Sequence, residues 1–101
     1  MTTQPITPET VALLLQSALL GEVSPRLRRV GFDLGERALT LKFFFDGEVT
    51  EDDEESASCV ETEVIAALPD DVHVARVVER VDPPNRLPPV QRWVYARRED
   101  S

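Results

Sequence analysis

FFFDGEVTEDDEESASCVETEVIAALPDD, residues Phe43–Asp71, decides how this chain is read. Its first residues finish an apolar strand, Asp46-Gly47 turns the chain, and a five-acid run from Glu51 to Glu55 opens a helix. Thr50 is placed to cap that helix, and Asp53, three residues on, completes a capping-box pattern. Ala57, Val60, Val64, Ile65 and Leu68 recur at helical spacing as an inward stripe, and Pro69 stops it. The spacing therefore predicts a helix over Glu51–Leu68.

Upstream, Leu39, Leu41, Phe43 and Phe45 alternate with Thr40, Lys42 and Phe44, the period of a half-buried strand. Val30, Phe32 and Leu34 alternate with Arg29, Gly31 and Asp33 in an earlier strand over Leu27–Leu34. Gly35-Glu36 lies between the two runs, which together read as a β-hairpin. Phe44 falls on the opposite face from its apolar neighbours and is expected to be exposed. Before the hairpin, Thr7-Pro8-Glu9 reads as cap, first helical proline and first-turn acid. Val11, Leu14, Leu15, Ala18 and Leu19 then mark the inward face of a helix over Pro8–Leu20, ended by Gly21. Leu13 and Leu20 lie off that stripe and either widen the core face or mark a contact surface.

Downstream, Asp71–Asp82 reads as a third strand with a broken valine alternation, which a β-bulge near Val77-Val78 or burial on both faces would reconcile. Val81–Val90 holds four prolines in two pairs and is a stiff, irregular connection. Gln91–Arg98 is a fourth strand, with Val94 and Ala96 on one face and Trp93 and Tyr95 on the other. Small residues suit packing under helices, which leaves Trp93 and Tyr95 on the open face beside Phe44, framed by Lys42, Arg76 and Arg97. The reverse assignment, with both aromatics in the core, also satisfies the pattern. The expected fold is α+β, in the order α-β-β-α-β-β: one domain over residues 1–101, a four-stranded antiparallel sheet, and two helices on one face. Residues 1–6 and 98–101 are expected to be flexible ends.

An apolar fraction of 42% with 30% charged residues suits a folded chain and argues against disorder. The net charge of −8 disfavours nucleic acid or an anionic membrane as the main partner. Eleven of the acids fall between Asp46 and Asp71, where there is no Lys or Arg, so the charge is segregated along the chain. A lone cysteine, Cys59, forms no internal disulfide, and the N-terminal segment lacks the pattern of a signal peptide, so a cytoplasmic setting is expected.

The residues show little chemistry. His73 is the only histidine, so a multi-histidine metal site cannot be built within one chain. Cys59 lies mid-helix among acids that would raise its pKa, against a role as nucleophile. The acid run lacks the alternating ligands and central glycine of a calcium loop, and no glycine motif cradles phosphate. No cofactor, metal or enzymatic activity is expected. Recognition remains. A dense acidic ridge of Asp52, Asp53, Glu54, Glu55, Glu61 and Glu63 suits a basic protein partner, with Phe44, Trp93 and Tyr95 as aromatic anchors. The plainer reading of the acids is a solvated helix start. Helix dipole and capping account for one or two of the five, while crowding them costs stability.

In size, acidity and element order, the chain resembles the small acidic immunity proteins encoded beside bacterial toxins of contact-dependent inhibition and related polymorphic systems. The stretch VTEDDEESASCVETEVIAALPDD (Val49–Asp71), set between two hairpins, carries the resemblance. It implies a cytoplasmic, non-enzymatic protein that binds one cognate toxin domain, often a nuclease, and blocks it. That class shares no motif, so no binding residue carries over. The rival reading is a self-associating structural or adaptor domain that pairs as a homodimer through Phe44, Trp93 and Tyr95. A small hydrolase is the third, and would need a pocket with converging polar groups.

Overall fold

The computed structural model describes residues 6–99. Six elements follow in chain order: α1 (Pro8–Ala18), β1 (Leu27–Leu34), β2 (Ala38–Phe45), α2 (Glu51–Ala67), β3 (His73–Arg80) and β4 (Arg92–Ala96). Both helices begin where local chemistry says they should. The Thr10 amide donates to the Thr7 hydroxyl at 3.2 Å, with Pro8 next in line. At α2 the capping box is complete: the Asp53 amide donates to Thr50 Oγ1 at 3.2 Å, and the Thr50 amide donates to Asp53 Oδ2 at 2.9 Å. Gly21 and Gly47 take φ of +82° and +84°, where a side chain would be strained, and so turn the chain after α1 and after β2.

The strands lie in the order β3-β2-β1-β4. β1 is antiparallel to β2 and to β4, but β2 and β3 are parallel, so the sheet is mixed rather than antiparallel throughout. Length explains the difference. The 17 residues of α2 span about 25 Å, and the 8 residues of β2 span about 26 Å. The helix thus carries the chain back to the start of β2, and β3 must run alongside it as in a β-α-β unit. β3 itself alternates cleanly, with Val74, Arg76 and Val78 turned to the core side and Val77 exposed. It carries neither the expected bulge nor burial on both faces.

Bulges occur instead at two places on β1. Leu27 pairs with Phe45 and Arg29 with Phe44, which leaves Arg28 as an extra residue. Val30 pairs with Tyr95 and Gly31 with Trp93, which leaves Val94 as the extra residue on β4. Each bulge shifts the alternation by one position. The second one separates Trp93 from Tyr95: Tyr95 shares a face with core residue Val30, while Trp93 shares the other with Gly31.

Both helices cover one face of the sheet. Val11, Leu15 and Ala18 of α1 and Ala57, Val60 and Val64 of α2 meet Val30, Phe32, Leu39, Leu41 and Phe43 in one core. Ile65 is not part of the stripe; it is 48% exposed, one position past buried Val64. Leu13 and Leu20 are exposed, at 66% and 80%, so they do not widen the core. The other face is crossed by the proline-rich connection, which must travel from the end of β3 on one edge to the start of β4 on the other. Val90 arrives against Gly31 so closely that a Cβ there would lie 2.6 Å from its methyl carbon. Residues 1–5, 100 and 101 of the expected flexible ends lie outside the described residues. Ile6 packs against the core and Glu99 is held by ion pairs, so at those positions the ends are anchored.

Candidate partner-binding surfaces

α2 presents two acidic flanks that differ in what faces them. Toward β3, Glu61 and Glu54 lie beside Arg76, at hydrogen-bond distance and 4.0 Å respectively. An open hollow of about 490 Å³ lies here, lined by Glu51, Glu54 and Arg76, with Glu55 on its rim toward the outer flank. On the outer flank, Asp52, Glu55 and Glu63 recur at helical spacing around Cys59 and are exposed. None of these three has a cation within 4 Å among the described residues.

Asp53 belongs to neither flank. It is 3% exposed, capping α2 and facing Arg26, whose Nη2 donates to its Oδ1 at 2.7 Å. Burial works against its charge, but the Thr50 amide and the Arg26 guanidinium outweigh burial and hold its carboxyl below the usual range. This acid serves the fold and offers no accessible face. Cys59 is exposed, and its thiol is pushed up by desolvation first and then by Glu22, Glu55 and Glu63. Glu22, in the turn after α1, thus extends the outer acidic flank. It stands alone in sequence, and only the packing of α1 against α2 brings it there.

The three aromatics are not an open face. Phe44 is 1% exposed and meets Trp93 edge-on, with ring centroids 5.7 Å apart. Trp93 is half-buried on the same side, and Tyr95 packs on the core. The expected frame of cations also dissolves. Lys42 pairs with Asp33, Arg76 faces α2, and Arg97 donates to Asp46 and to the Pro25 carbonyl.

The bulge at Arg28 creates a feature with no sequence signal. Arg28 is buried, and its guanidinium donates to Glu99 through two nitrogens, at 2.7 and 3.0 Å, and to the carbonyls of Val81 and Asn85. It ties the proline-rich crossing and the segment after β4 to the central strand. The hydrogen bond from Arg28 is the main reason the Glu99 carboxyl falls to about 2. Among the described residues, no three His, Cys, Asp or Glu side chains converge as a metal site, and no helix is long and apolar enough to cross a membrane.

No curated protein matches this chain. A family model described as MafI2 immunity protein matches residues 8–99, from the first helical residue to the Glu99 anchor. That match spans all six elements of the fold, and the chain belongs to the MafI2 immunity protein family.

Proposed function

We propose that this protein is a non-enzymatic inhibitor that binds a cognate bacterial toxin domain in the cytoplasm and covers a basic surface on it. The observation that carries the reading is the outer flank of α2, where Asp52, Glu55 and Glu63 are exposed with no cation within 4 Å among the described residues, and Glu22 adjoins them. Like charges placed so cost stability in the free protein, and a basic partner relieves that cost on binding. A nuclease fits such a partner, because a surface built for phosphate is cationic. Family membership supports the immunity role, and the position of the acids supports its electrostatic form.

The test is the triple variant Asp52→Lys, Glu55→Lys, Glu63→Lys, titrated calorimetrically against the cognate toxin domain at low and high salt. All three residues are exposed, so the variant should fold. Weakened binding, with a flatter salt dependence, is the expected result. Affinity equal to the original at every ionic strength would sink the acidic-flank mechanism. The self-association reading loses its surface, because Phe44 and Tyr95 are packed within the chain and the crossing lies over the sheet face.

A further inference from the structure

The face of the sheet away from the helices holds an open cavity of about 360 Å³ between the proline-rich crossing and the central strand. Arg28, Arg29, Arg86 and Trp93 contribute to its lining, together with Leu87 and Pro88. The cations there are not equivalent. Arg28 spends four of its five N–H donors on Glu99 and two carbonyls. Arg29 and Arg86 have no carboxylate within 4 Å among the described residues, whereas Arg26, Arg37, Lys42, Arg76, Arg80, Arg92 and Arg97 each have one. In a chain of net charge −8, two uncompensated guanidiniums on one cavity stand against the general field.

Arg29 is also ordered for a task. Its guanidinium carbon lies 5.1 Å from the centroid of the Trp93 ring, and Trp93 is braced edge-on by buried Phe44. A guanidinium stacked on an aromatic ring keeps its in-plane N–H donors, which match a carboxylate as a fork. We infer that this cavity receives a carboxylate side chain from an acidic segment of a protein partner, held by Arg29 and Arg86 against Trp93. Nucleic acid fits less well. It needs a track of phosphate contacts, and of the three guanidiniums that line this cavity Arg28 is already held by Glu99. One carboxylate needs only one fork.

The identity of the partner rests on the proposed immunity role, but the site itself does not. Trp93 is the chain's single tryptophan, so its fluorescence reports on this cavity alone. The full-length protein is titrated with acetylated, amidated tetraglutamate, with tetraglutamine and with oligothymidine. A saturable change with tetraglutamate only, weakened about tenfold by Arg86→Gln and again by Arg29→Gln, is the expected result. Arg86 is exposed, so Arg86→Gln leaves the fold intact while removing one cation. The site is overturned by an unchanged signal throughout, by equal binding in Arg86→Gln, or by a response to oligothymidine instead. No toxin enters this experiment, so failure to capture one bears on the proposed function and leaves this result standing.

Discussion

Gly31→Ala tests whether the crossing is packed on β1 as tightly as the geometry requires. A Cβ at Gly31 would lie 2.6 Å from Val90 Cγ2, 2.7 Å from the Arg92 carbonyl oxygen and 3.0 Å from Trp93 Cε3. Comfortable carbon contacts begin near about 3.5 Å, so all three neighbours must move. The methyl of Val90 can yield, but the Arg92 carbonyl belongs to the β1–β4 pairing and moves only with the strand. Overpacking of this kind costs roughly 1–3 kcal/mol. The stiffer unfolded chain of alanine returns about 0.5 kcal/mol. The net loss should be near ~2 kcal/mol, or a Tm lower by roughly 10 °C for a domain of this size. Urea unfolding followed by far-UV circular dichroism and by Trp93 emission reads it directly. Gly35→Ala is the matched control, since its nearest neighbour is the Ala38 carbonyl oxygen at 3.6 Å. It should be neutral or slightly stabilising. A Gly31→Ala protein as stable as the original, or an equal loss from Gly35→Ala, would refute the close approach.

Three further outcomes follow from geometry elsewhere. Thr50→Ala removes the cap of α2 and should cost about 1 kcal/mol in denaturant unfolding, with Thr50→Ser recovering most of it; an unchanged midpoint for the alanine variant contradicts the capping role. Glu99 titrates at about 2 in the fold against an ordinary 4.5, so its contribution is present above 4.5 and is lost as pH falls toward 2. Glu99→Gln should therefore be less stable near neutrality and lose less stability across that window, and an unaltered pH profile contradicts the Arg28–Glu99 link. Cys59 should react slowly with an aromatic disulfide reagent at neutral pH, because its surroundings disfavour the thiolate. Added salt or Glu55→Gln should speed that reaction, and a rate indifferent to both shows that Glu55 does not act on the thiol.

What could be read from the sequence was local. Thr50 and Asp53 announce the capping box because cap and acceptor lie three residues apart, and the β1–β2 hairpin is visible because both its strands and its turn are contiguous. The parallel placement of β3 depends on matching a helix to a strand in length, which no valine pattern reveals. Bulges are harder still. Trp93 and Tyr95 are two apart and read as one face, yet the extra residue Val94 sends them to opposite sides. The acidic ridge was legible as charge, but which acids are available was not. Asp53 is turned inward to Arg26, Glu61 is met by Arg76, and Glu22 joins from another element. Arg29 and Arg86 are separated by most of the chain, and only the strand order brings them to one cavity.

The placement of β1 beside a strand made so much later has a consequence for the life of the chain. β1 gains its outer neighbour only when residues 92–96 arrive, after every other element is in place. A polypeptide interrupted in the proline-rich crossing, by proteolysis or by stalled synthesis, keeps both helices and three strands but leaves the far side of β1 bare from Arg29 to Phe32. Unpaired backbone of that kind is a template for another chain. Fragments ending there should self-assemble, and a cell would need to clear them.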